Sequence, residues 1–196
     1  KQRRAIPDLP VFLNSPMAID MTDIYHRHRA EHRLSDAECA GMCKVATMVR
    51  SVEESRALNA MTYPAVIVSA SGMATGGRVL HHLKTLAPDR RNTVVFAGYQ
   101  AAGTRGARMV AGESSIRIHG QDIPVRAEVM SLEGISAHAD ARQIVQWLAT
   151  AQRPPRRVYL THGEPGPADT LRQRIERELG WDAYAPRLGQ TIEVES

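Results

Sequence analysis

Two histidines stand out for the chemistry their surroundings allow. "GISAHADARQIVQWL" (residues 134–148) carries His138 just ahead of a helical pattern, and "VYLTHGEPG" (residues 158–166) carries His162 in a similar place 24 positions later. A neutral imidazole at the end of a strand is well placed to ligate zinc, and Gly163 leaves room beside His162 for close backbone approach. A helix N-terminus exposes unpaired N–H groups and positive potential, so the Ser136 hydroxyl, neighbouring amides and His138 can together hold a phosphate oxygen. The competing reading is that each histidine only caps or hydrogen-bonds locally.

A glycine-rich stretch adds a second candidate. In "VIVSASGMATGGRVLHHL", Ser69, Ser71, Gly72, Thr75, Gly76 and Gly77 fall within nine residues, between an apolar strand and a helix. Such a loop presents backbone N–H groups and leaves space for a phosphate. It matches neither G-x-x-x-x-G-K-[ST] nor G-x-G-x-x-G, so no nucleotide-binding label attaches to it, and a tight turn without a ligand is the alternative. "HRHRAEHR" also invites a metal reading through His26, His28 and His32. Its interleaved arginines would repel a dication, and an exposed helix end fits better. Of His81 and His82, adjacent on one helix, a single register points only one inward. His119 beside Gly120 reads as a turn residue.

These residues need elements to hold them. "PVFL" (10–13) reads as a short buried strand, and "NSPMA" turns into a helix running through about His32. Ser35 with Glu38, and Ser51 with Glu54, are capping-box pairs, and "CKVATMV" (43–49) reads as a β-rich run. "AVIVSA" (65–70), the helical "RVLHHLKTL" and "TVVFAG" (93–98) continue a βαβα rhythm, the mark of a parallel sheet covered by helices. After about Arg108 the texture changes: "SIRIHG" and "IPVRAEVMSL" alternate as half-buried antiparallel strands do. A domain boundary is therefore expected there, giving 1–108 and 109–196. Asp140 with Gln143 closes a third capping box before the stripe Ala141, Ile144, Val145 and Leu148. The last helix has Pro167 near its start, Leu171, Ile175 and Leu179 on one face and Gly180 as its stop.

Composition bounds the rest. With 196 residues, 43% of them apolar, the chain can bury one sizeable core or two small ones. No apolar run approaches the roughly 18 residues of a membrane span, and "KQRRAIPDLP" lacks the apolar segment of a signal peptide, so a soluble cytoplasmic protein with no membrane partner is expected. Cys39 and Cys43 are too close to staple a fold and have no second pair to complete a zinc site, so they read as reduced thiols. Net charge is +4, and only three of the 25 cationic side chains are lysine. Arginine's planar fork suits phosphate, while 5% aromatics argues against a stacking platform for bases.

Taken together, "SASGMATGGR", "FAGYQAAGTRGARM", "IPVRAEVMSLEGISAHAD" and "YLTHGEPG", in that order, resemble the C-terminal half of a β-CASP protein of the metallo-β-lactamase superfamily, a family of RNA-processing nucleases. The resemblance covers essentially the whole chain. It implies an α/β fold: a β-CASP lobe with a parallel, helix-covered sheet, followed by the C-terminal αβ portion of an αββα sandwich. It implies His162 as a zinc ligand completing a two-zinc site, and His138 with Ser136 near the scissile phosphate, His138 stabilising charge or assisting proton transfer. Ser15 and the loop Ser71, Gly72, Thr75, Gly76 and Gly77 would line a channel for single-stranded RNA. In the complete protein, two zinc ions would activate a bridging water for in-line attack. Relatives of this kind often form homodimers.

There are departures. Asn14 stands where the family more often has aspartate, and none of the eight histidines supplies the family's H-x-H-x-D-H zinc motif. The chain begins at Lys1 rather than methionine, which fits a piece of a longer protein that is inactive without its zinc-binding half. The alternatives are a non-catalytic RNA-binding module and an unrelated doubly wound small-ligand domain.

Overall fold

The computed structural model describes residues 7–132, 134–135 and 138–193. The chain forms two compact units, Lys1–Ser136 and Ala137–Ser196.

In the first unit, β1 (Val11–Leu13) is the middle strand of a three-stranded parallel sheet, flanked by β2 (Thr47–Met48) and β3 (Val66–Val68) in the order β2-β1-β3. Phe12 faces Thr47 on one side and Ile67 on the other. The crossovers carry helices, as parallel pairing requires. These are α1 (Pro16–Arg27), α2 (Asp36–Cys43) and α3 (Val52–Asn59), with α4 (Val79–Leu86) following β3. The Ser35/Glu38 and Ser51/Glu54 pairs both close as capping boxes and start α2 and α3.

A second parallel pair joins β4 (Thr93–Ala97) to β7 (Glu128–Leu132), in register Val95 to Met130. Between them come α5 (Arg105–Val110) and an antiparallel hairpin of β5 (Ser115–Ile118) and β6 (Gln121–Pro124). The core of this unit gathers Leu80, Leu83, Phe96, Met109, Ile116, Ile118 and Ile123 around Ala74.

The second unit packs α6 (Ala141–Leu148) and α7 (Pro165–Leu179) with the parallel pair β8 (Val158–Tyr159) and β9 (Ala183–Tyr184). Val145 and Ile175 fill its centre with Leu171, Leu179 and Trp181. Asp140 and Gln143 form the expected box, and Gly180, at φ 68°, ends α7 in the left-handed region.

Three expectations need correction. "SIRIHG" and "IPVRAEVMSL" are antiparallel only in part: β5 and β6 pair antiparallel, but β7, the rest of the second stretch, runs parallel to β4. Alternation reports that one face is covered and says nothing about the neighbour's direction. "CKVATMV" is mostly helix end and turn, because the Ser35 box carries α2 through Cys43 and leaves only Thr47–Met48 extended. The first helix stops at Arg27 rather than His32: His28 returns its N–H to Ile24 O, and Arg29–Glu31 tightens into a 3-10 turn. That turn folds His32 onto Tyr25, ring centroids 4.1 Å apart, and His26 Nδ1 lies 3.3 Å from the buried Cys39 Sγ, so "HRHRAEHR" is only partly an exposed end. Both cysteines are free thiols.

Candidate functional site

The glycine-rich loop leaves the end of β3 and enters α4. Ser71 Oγ and Thr75 Oγ1 are 2.9 Å apart, Ala74 N donates to Ser71 O, and Thr75 N lies 3.4 Å from Ser71 Oγ. Ala74 is fully buried in the core with φ at 52°, which anchors the loop at its middle. Gly77 has a backbone reason to be glycine, since its φ is 75° and an added Cβ would stand 3.0 Å from Ala70 O. A Cβ at Gly72 or Gly76 would meet nothing within 4 Å, so these two keep one side of the loop open. Ser71, Gly72, Thr75, Gly76 and Gly77 are thus brought together on one turn ahead of an eight-residue helix.

Ser15 is placed differently. It is 5% exposed, and its Oγ accepts from Ala18 N as the N-cap of α1, so its hydroxyl is engaged by the fold.

Its neighbour Asn14 is fully buried and is the hub of a polar network that sequence reasoning did not find. Asn14 Nδ2 donates to Val49 O at 3.3 Å, while Oδ1 accepts from Ser55 Oγ and from His82 Nε2, each at 2.9 Å. Ser69 Oγ donates to Asn14 O. One side chain therefore ties β1 to α3, α4 and the segment after β2. Burial, then the positive charges of His81 and Arg78 when present, pushes the His82 pKa below its ordinary value of 6.5, so the ring is neutral. A neutral imidazole has one N–H, which goes to Asn14, leaving Nδ1 as an acceptor. Asn59 Oδ1 stands 2.6 Å from Nδ1, and a half-turn of that amide puts its NH2 there as donor. Of the adjacent histidines, His82 is the inward one and His81 is exposed, its ring 5.1 Å from that of His119. His119, at φ 48°, and Gly120 make the β5–β6 turn.

In the second unit, His138 is exposed two residues before Asp140, the N-cap of α6. Asp140 Oδ1 accepts from Gln143 N at 2.8 Å, so a carboxylate already engages this helix start. Ser136 lies outside the described residues. His162 is exposed in the loop from β8 to α7 with φ at 64°. Positive φ costs a residue with a Cβ about 1–2 kcal/mol, and such strain concentrates where a side chain must be aimed. Gly163 allows the turn, because a Cβ there would come 3.1 Å from Ala168 Cβ on α7. Among the described residues, no three His, Cys, Asp or Glu side chains form a group that could hold a metal ion. His162 is one donor, and a catalytic zinc takes about three from its protein. The described residues therefore do not by themselves fit a zinc site.

Comparison with known proteins gives these loops a context. The β-CASP domain matches residues 1–109, and the Zn-dependent metallo-hydrolase RNA specificity domain matches residues 122–186. The chain belongs to the β-CASP family. It is 38% identical over 165 residues to Ribonuclease TTHA0252 of Thermus thermophilus, covering 81% of this chain and 37% of that one. It is also 38% identical over 136 residues to Transcription termination factor FttA of Pyrococcus abyssi, covering 67% of this chain and 21% of the relative. The FttA of Methanosarcina mazei is 31% identical over 202 residues, 96% of this chain and 31% of its own length. The chain thus spans about a third of these relatives or less. The α/β architecture with parallel sheets agrees with membership. Among the described residues no helix is long and apolar enough to cross a membrane.

Proposed function

We propose that this chain is the RNA-handling part of a zinc-dependent ribonuclease, with 1–108 as its β-CASP domain and 109–196 carrying the returning metallo-hydrolase segment. The observation that carries the reading is His162. It is an exposed imidazole held at positive φ beside a glycine packed on α7, inside the stretch that matches the RNA specificity domain. His162 would contribute one ligand to zinc in the complete protein, where the metal supplies an activated water for phosphodiester hydrolysis. His138 and Ser136 would act on the scissile phosphate, and Ser71, Gly72, Thr75, Gly76 and Gly77 would hold a neighbouring phosphate of single-stranded cytoplasmic RNA. Ser15 would serve that channel indirectly, by fixing the first turn of α1.

This chain alone is expected not to cleave RNA. His162→Ala in the complete protein should abolish zinc-dependent cleavage while leaving RNA binding; retention of full cleavage would refute the assignment. The non-catalytic reading has its own support, since the glycine loop is complete within the chain whereas His162 has no group of metal ligands around it among the described residues. It predicts salt-dependent, metal-independent RNA affinity for the isolated chain. RNA cleavage by these 196 residues would overturn both.

A further inference from the structure

The segment after β4, "GYQAAGTRG" (98–106), takes up the carbonyls of the glycine loop one after another. Gln100 Nε2 donates to Gly72 O at 3.0 Å, and Gly106 N donates to Met73 O at 3.0 Å. Arg105 Nη1 reaches Ala74 O at 3.2 Å and Thr75 O at 3.3 Å. Four consecutive carbonyls are therefore turned toward one partner segment. In a trans peptide the next residue's N–H points opposite to the C=O; of the four amides that follow, Ala74 N turns back to Ser71 O and Thr75 N to Ser71 Oγ, closing the turn, which leaves those of Met73 and Gly76 to face a ligand. Backbone amides on one side of a turn, beside hydroxyls, suit an anion.

The partner segment is itself held in place. Gln100 Nε2 also lies 3.2 Å from both Gly98 O and Tyr99 O, and Arg105 Nε donates to Arg117 O at 2.6 Å. A Cβ at Gly106 would overlap Gln100 Oε1 and push that side chain out of its place.

We propose that Gln100 and Arg105 are positioning residues for phosphate binding: by holding the carbonyls of residues 72–75 they keep the amides of Met73 and Gly76 and the Ser71 and Thr75 hydroxyls aimed at a phosphate of RNA. This rests on the phosphate-loop reading above. Arg105 acts through its fork on peptide oxygens and not as a cation on the phosphate, a distinction that charge-counting alone would miss.

The test uses the full 196-residue chain, a short single-stranded oligoribonucleotide and the variants Gln100→Leu, Arg105→Lys and Arg105→Gln, with circular dichroism as the folding control. Lysine keeps the charge and loses the planar fork. Losing such hydrogen bonds should weaken RNA binding about tenfold in each variant, with Arg105→Lys no better than Arg105→Gln and the slope of log affinity against log salt unchanged. If Arg105→Lys binds like the unsubstituted chain and Arg105→Gln lowers the slope by about 0.7, Arg105 neutralises a phosphate directly and the inference is wrong. Unchanged affinity in every variant overturns it too. Amide hydrogen exchange at residues 73–76 reads the clamp without RNA, and should speed up in all three variants. If the unsubstituted chain fails to bind RNA, the phosphate reading falls, and faster exchange would still identify the two side chains as the loop's anchors.

Discussion

Replacing Asn14 with leucine keeps the side chain's approximate size and removes its hydrogen bonding. Val49 O would remain satisfied, because Arg78 Nη1 also donates to it at 3.1 Å. Ser55 Oγ–H and His82 Nε2–H would lose their acceptor inside the protein. A buried donor left unpaired costs about 1–3 kcal/mol, so two of them amount to roughly 2–6 kcal/mol, which leucine's hydrophobicity and rotation of the serine hydroxyl reduce to a net of about 2–4 kcal/mol. Against a typical total of about 5–15 kcal/mol, that is a large share of stability. With a urea slope of about 2 kcal/mol per molar, the midpoint should fall by roughly 1–2 M. Both tryptophans, Trp147 and Trp181, belong to the second unit, so their fluorescence is the wrong probe. Amide exchange in β1 and β3 follows the right region. A stability within about 0.5 kcal/mol of the unsubstituted chain, the range of ordinary surface changes, would show that the Asn14 network does not hold the first unit together.

Other outcomes follow from the same geometry. Because the folded His82 pKa lies below 6.5, the unfolded chain binds the extra proton, and stability should be full above pH 6.5 and decline as pH falls from there through the folded value; His82→Gln should flatten that slope in urea titrations across pH. Gly77→Ala should destabilise by about 1–2 kcal/mol or more, from the positive φ and the close approach to Ala70 O, measurable by thermal unfolding. His162→Gly should match or exceed the unsubstituted chain's stability by up to about 1 kcal/mol, since relief of positive φ outweighs glycine's entropy. The same change should remove cleavage in the complete protein, and a clear loss of stability instead would mean that the His162 backbone is not strained.

Much of this was readable in the residues. All three capping boxes formed where Ser35, Ser51 and Asp140 are each followed three positions on by Glu or Gln, because the box is a purely local exchange of two hydrogen bonds. That only one of His81 and His82 turns inward, the His119–Gly120 turn and the Gly180 stop were legible for the same local reason, whereas the choice of His82 needed the fold. The direction of β7 was not, since it depends on a partner strand more than thirty residues away. Nor was the Asn14 hub, whose partners Val49, Ser55 and His82 are spread over the sequence and carry no spacing signature. The Gln100 and Arg105 contacts were hidden likewise: an arginine after a glycine-rich turn suggests a bound anion, and only the fold reveals that its donors point at peptide oxygens.

The parallel pairing of β4 with β7 also bears on how the chain is made. β4 is complete by Ala97, but its partner begins at Glu128, with α5 and a whole hairpin in between. On the ribosome, at about 5–20 residues per second, β4 therefore emerges seconds before the strand that covers its edge. During that interval the edge of "TVVFA" is open to other nascent chains, and the early-closing β5–β6 hairpin is the element then available to shelter the apolar residues beside it.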